Sequence, residues 1–158
     1  MTKPLKPLMH GVLDYVWAAS MMAAPWLFGF NKNKAATMNS VGSGAAILGL
    51  SLMTRYPLGA VKLISFPTHG VIEGTGGIVT IAAPWLMGFA GNKRARWLHV
   101  LSGLSTLAVV AMTDYQAAER ASRRESRPLF YEERESYSPE RTEPATKERL
   151  LHRTSGAA

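Results

Sequence analysis

The chain has 158 residues, 47% of them hydrophobic, no cysteine and a formal net charge of +7. Without cysteine there are no disulfides, thiolate metal sites, iron–sulfur clusters or cysteine nucleophiles, so any metal chemistry falls to His and carboxylates. The basic balance does not mark a nucleic-acid partner. No nucleic-acid-binding motif accompanies it, and the tail, residues 117–158, is almost neutral, with nine Lys or Arg against eight Glu.

The first predicted element is an apolar helix over residues 7–30. It carries His10 and Asp14, four apart and so on one helical face. It ends in Pro25, Trp26, Leu27, Phe28, Gly29 and Phe30. Pro25 lacks a backbone donor and frees the Met21 carbonyl, which predicts a kink or local break where the helix ends. Lys3 and Lys6 ahead of an apolar run resemble the start of a signal peptide. The internal copy described below assigns the segment to the fold instead.

A short basic link, residues 31–34, leads to a second predicted helix over residues 35–54, which has no charged residue on any face. Its Ser40, Gly42, Gly44, Ala46 and Gly49 are small enough for close helix packing. The third helix is predicted over residues 67–89. It holds His69 and Glu73, a Gly70/Gly74 pair at Gly-x-x-x-Gly spacing, and a second run of Pro84, Trp85, Leu86, Met87, Gly88 and Phe89. The glycines at 74, 76 and 77 lack the Lys-Ser/Thr ending and preceding strand of a phosphate loop. A basic link, residues 90–96, precedes a fourth helix over residues 97–113. His99 at its outer end reads as a solvated interfacial histidine. From Gln116 good helix formers predict that the fourth helix extends a few turns. Beyond Pro128 the composition is that of a disordered segment, in which Phe130 and Tyr131 offer a docking spot for a partner.

A gapless self-alignment at an offset of 59 residues organises these elements. His10 falls on His69, Asp14 on Glu73, Pro25-Trp26 on Pro84-Trp85, Gly29 on Gly88, and Met53-Thr54 on Met112-Thr113. Twenty of the 47 positions from 10 to 56 are identical to their partners. Repeat 1 spans about residues 7–56 and repeat 2 about 66–115. Each holds two apolar stretches near the length of a membrane span, so the predicted fold is an all-α membrane protein. Four transmembrane helices form two tandem hairpins, related by a pseudo-twofold along the membrane normal. The four-helix domain covers residues 1–115 and a charged cytoplasmic tail residues 116–158.

The Pro-Trp-Leu-x-Gly-Phe motif near the end of an apolar helix, preceded by His-Gly-x-x-Asp/Glu, resembles the SPW-repeat family of small prokaryotic membrane proteins. Pro25-Trp26 and Pro84-Trp85 match the family's Pro-Trp pair, while Ala24 and Ala83 replace its serine. The resemblance covers both repeats and implies a multi-pass membrane protein, with no particular activity.

An even number of spans places both termini on one side. That side carries eight Lys or Arg near the helix ends against five on the other, which predicts cytoplasmic termini in the cell membrane. Trp26, Trp85 and Trp97 then form a belt at the outer interface. The pseudo-symmetry sets His10, Asp14, His69 and Glu73 at one depth, facing each other between helices one and three. Intramembrane carboxylates are costly unless they face protein or water. Three roles are open to the four: polar glue that fixes helix register, a divalent metal or haem site, and proton handling. Pro25, Trp26, Gly29, Pro84, Trp85 and Gly88 are assigned structural roles. Nothing else supplies a nucleophile, general base or oxyanion donors. The leading functional expectation is therefore a non-enzymatic scaffold without a cofactor, with a His/carboxylate cofactor site as the alternative. The expected partners are the lipid bilayer, a second copy of the chain, and a protein engaged by the tail.

Overall fold

Helix boundaries follow from short local signals. Pro7 sits in the first turn of α1 (Pro7–Leu27), where its missing N–H costs nothing. Asn33 and Asn92 cap α2 (Lys34–Leu52) and α4 (Lys93–Met112), each side chain accepting the backbone N–H three residues on at 3.1 Å. Ser65 caps α3 (Phe66–Leu86) in the same way. The computed structural model describes residues 3–117, Arg120 and Arg123. All but Arg123 lie in one compact unit, Met1–Ala121. Among these residues the chain is helical, with two isolated β-bridges and no sheet. The expected disordered segment beyond Pro128 lies outside the described residues.

The Pro-Trp-Leu-x-Gly-Phe motif is a helix stop. Gly29 and Gly88 adopt φ +67° and +72°, the left-handed conformation that glycine takes without a Cβ penalty. The Phe30 N–H then returns to the Pro25 carbonyl at 2.9 Å and the Gly29 N–H to Trp26 at 3.4 Å; Phe89 and Gly88 repeat both bonds. Phe30 and Phe89 fold back into an apolar cluster with Ala24, Ala36, Ala83 and Ala95. Pro25 does not break α1, which runs two residues past it. The Met21 carbonyl that Pro25 frees accepts the Ser40 hydroxyl at 2.7 Å.

α1 packs on α2 and α3 on α4, with far less backbone contact between the two hairpins. Gly44 and Gly103 are the closest approaches within them. A Cβ at Gly44 would meet the Ala18 carbonyl, and one at Gly103 the Gly77 carbonyl. Gly42 and Gly49 face open space, and Gly70 makes room for a tyrosine ring rather than a helix. The expected small-residue interface thus reduces to Ser40 and Gly44 in the first hairpin and to Gly103 against Gly77 in the second.

Two expectations fail at the ends of α4. It begins at Lys93, four residues earlier than its apolar run, because Asn92 caps it there. It also stops at Met112 rather than running on unbroken, although residues 115–117, Arg120 and Arg123 are again helical. Thr113 is extended and bridges to Leu5, with Leu5 N–H donating to Met112 and Asp114 N–H to Leu5. Thr54 and Ile64 form the matching bridge after α2.

By length and mean hydropathy, α4 is the one helix among the described residues that qualifies as a span, against four expected. α1 and α3 each contain a His and a carboxylate, and α2 is rich in Gly, Ser, Thr and Asn, all of which lower a mean.

Candidate functional site

Asp14, Glu73 and Asp114 are the only carboxylates in the first 118 residues. Two of the three are buried together with two histidines. His10 and His69 are fully inaccessible, Asp14 is 2% and Glu73 5% exposed. The i, i+4 spacing on α1 and on α3 stacks each pair on its helix face, and both faces turn toward one point. The two histidine Nε2 atoms lie 3.2 Å apart. His10 Nε2 is 3.4 Å from Asp14 and 3.2 Å from Glu73; His69 Nε2 is 3.3 Å from Asp14 and 3.6 Å from Glu73. The four expected residues are therefore brought together, and each imidazole faces both its own carboxylate and that of the other hairpin.

Threonine hydroxyls fix the tautomers. Thr113 Oγ1 donates to the Val109 carbonyl at 2.6 Å, so its one hydrogen is committed. It can only accept from His10 Nδ1, 2.9 Å away. Thr54 likewise donates to Leu50 and accepts from His69 Nδ1 at 2.8 Å. Both Nδ1 atoms carry hydrogen, and a neutral ring then points its Nε2 lone pair at the centre. Each bond also crosses the molecule: His10 of the first hairpin is held by Thr113 of the second, and His69 by Thr54 of the first.

Asp14 is further held by Ser51, whose hydroxyl donates at 2.8 Å, and more distantly by the Tyr56 hydroxyl at 3.5 Å. Glu73 Oε2 is buried against the two imidazole Nε2 atoms, at 3.2 and 3.6 Å. Burial pushes the phenols of Tyr56 and Tyr115 well above their ordinary range, and the nearby Asp14 and Glu73 charges push the same way, so both stay protonated. The Gly of His-Gly-x-x-Asp/Glu has its explanation here. A Cβ on Gly11 would run into the Tyr56 ring, and one on Gly70 into Tyr115. Phe66 stacks on Tyr56 at 5.6 Å, meets Tyr115 at 4.8 Å and places its edge against His10 at 5.1 Å. These rings close the cluster on the side of the chain termini. On the opposite side, cavities of about 260 and 200 Å³ flank the seam between the hairpins, and both reach Glu73.

Thr54, Thr113, Tyr56, Tyr115, Ser51 and Phe66 were not singled out from the sequence. For four of them a signal existed, since Met-Thr-x-Tyr closes both repeats. His99 departs from its expected solvated place. It is fully buried, its Nδ1 donates to the Ala95 carbonyl at 2.7 Å, and its ring packs against Phe89 at 4.9 Å and Phe30 at 6.5 Å. It occupies the inward register of Ser40 in the first repeat, so the same helix face that buries the serine buries the imidazole.

The His/carboxylate group has the composition to hold a small cation, its ligand atoms all lying within 4.8 Å of one another. A family model described as the SPW repeat domain matches residues 8–113, about two thirds of the chain. No curated protein and no solved structure matches it.

Proposed function

The chain belongs to the SPW repeat domain family, and we propose that it works as an integral membrane scaffold. In this reading all four helices cross the bilayer as two hairpins, with both termini in the cytoplasm. The observation that carries the proposal is the distribution of exposed side chains. Val12 and Val16 on α1, Val71 and Ile78 on α3, and Leu101 and Leu104 on α4 all face outward. On the same helices His10, Asp14, His69 and Glu73 face inward. A soluble bundle has the opposite pattern, with charge on the outer face. The low mean hydropathy of α1 to α3 thus comes in part from residues that lipid would never meet. The helices have 21, 19, 21 and 20 residues, close to the ~20 that a bilayer core requires. Trp26, Trp85 and Trp97 are more than half exposed at one end of the bundle, as an interfacial belt demands.

The scaffold's lock is the buried cluster. Few backbone contacts join the hairpins, whereas the His–Thr bonds, the His–His contact and the cross-hairpin His–carboxylate contacts all do. The test is fractionation of cells that express the full chain. It should sediment with membranes and stay there through alkaline carbonate, leaving only with detergent. Release by carbonate would show that it lies on the membrane or outside it.

A further inference from the structure

We propose that the His10–Asp14–His69–Glu73 cluster is a four-coordinate site for a divalent ion of the zinc type, set across the two hairpins. The inference goes beyond the scaffold reading and holds whether or not all four helices span a bilayer.

Three independent features carry it. The first is spacing. With metal–ligand bonds of ~2.0–2.1 Å, the ligands of a tetrahedral ion stand about 3.3 Å from one another. The two Nε2 atoms are 3.2 Å apart and each has an oxygen of both carboxylates at 3.2 to 3.6 Å, Asp14 turning Oδ1 to His10 and Oδ2 to His69; with one ligand atom taken from each residue, all four lie within 4.8 Å of one another. Two nitrogens on opposite faces of a haem iron would be about 4 Å apart, twice a ~2 Å bond, with a macrocycle between them. Here the two nitrogens stand only 3.2 Å apart with both carboxylates beside them, which favours a bare ion over haem.

The second feature is the outer hydrogen bonding. Metal-binding histidines donate their other ring N–H to a fixed acceptor, which sets the tautomer and aims the lone pair. Thr113 and Thr54 do this for both rings, because their own hydrogens are spent on helix carbonyls. Ser51 orients Asp14 in the same way.

The third is charge and saturation. Two neutral imidazoles and two carboxylates sum to −2, which one divalent ion cancels. The Glu73 Oε2 atom is buried against the two imidazole Nε2 atoms at 3.2 and 3.6 Å, and while those nitrogens present lone pairs it faces them at a cost that a cation between them would remove. The ligand set of two nitrogens and two oxygens suits zinc and its borderline neighbours, and the absence of thiolate disfavours copper(I). A site needs a way in, and the larger flanking cavity reaches both Asp14 and Glu73. Because each hairpin gives one His and one carboxylate, the ion would clasp the two repeats together.

Cobalt(II) provides the test, since four-coordinate cobalt shows intense visible bands that the six-coordinate ion lacks. The full chain, purified in detergent without a polyhistidine tag and stripped by chelator, is titrated with cobalt and then with zinc. The expected result is one equivalent of cobalt with the intense bands, displaced by one equivalent of zinc. H10Q and H69Q should lose the bands, while H99Q and H152Q keep them. Thr113→Val retains all four ligands, and should bind ~10–100-fold more weakly with the bands intact at saturation. A spectrum that stays that of the aqueous ion in the folded wild-type chain would overturn the proposal, and would leave protons as the charges that fill the cluster. Bands that survive the loss of both His10 and His69 would overturn it too. The wild-type spectrum decides even if the histidine variants fail to fold.

Discussion

At the scale of single residues, the cluster's geometry depends on two threonine hydroxyls that each serve two masters. Thr113 accepts from a fully buried imidazole and donates to its own helix. Thr113→Val keeps the shape but leaves the His10 Nδ1–H without its acceptor, and a buried unsatisfied donor costs about 1–3 kcal/mol. Thr54→Val should cost a similar amount through His69, and both Ser replacements should be near wild type. Unfolding in detergent measures this, and valine variants as stable as the wild type would contradict the assigned hydrogen bonds. The sequence carried half of this arrangement. His10/Asp14 and His69/Glu73 were legible because spacing and repetition both marked them. Their partners were not, because Thr113 is 103 residues from His10 and nothing local joins them. His99 shows the converse limit. A single histidine near a helix end looks solvated until the register of Ser40, one repeat away, is seen to be buried.

At the scale of elements, the repeated Pro-Trp-Leu-x-Gly-Phe motif is a stop signal whose key conformation belongs to glycine. Gly88 has φ +72°, and a Cβ placed there would meet nothing within 4 Å, so Gly88→Ala isolates the backbone cost. The left-handed conformation costs an L-residue roughly 1–2 kcal/mol, and Gly88→Ala should lower stability by that amount. Gly91→Ala, three residues on and also facing open space, should be neutral. Equal stability of the two variants would mean that Gly88 does not terminate α3 in this way. Helix positions were readable from prolines and apolar runs, but the Asn92 cap that starts α4 at Lys93 was not. The end of α4 was not, because helix-forming residues continue past Met112 while Thr113 is drawn into a bridge with Leu5. Local propensity lost there to a tertiary contact. The local break expected at Pro25 did not appear, since α1 runs on to Leu27 before it ends. The freed Met21 carbonyl finds the Ser40 hydroxyl on the neighbouring helix, a partner that the sequence of α1 alone cannot name.

At the scale of the whole molecule, duplication explains why one short motif yields a closed site. A single hairpin supplies one His and one carboxylate, along with a Thr that holds the other hairpin's His. Two copies complete the set and pair each lead-in segment with the far end of a helix: Leu5 with Thr113, and Ile64 with Thr54. The fold class followed from the repeat, whereas the membrane assignment rests on which faces carry the apolar side chains. Its most direct test uses the absence of cysteine in the chain. Single cysteines at Lys32 and Gly91 probe the two loops that follow α1 and α3, and one at Val61 probes the loop between the hairpins. With a membrane-impermeant maleimide on intact cells, Lys32→Cys and Gly91→Cys should label, and Val61→Cys only after the membrane is opened. Labelling of all three from one side would contradict the four-span account.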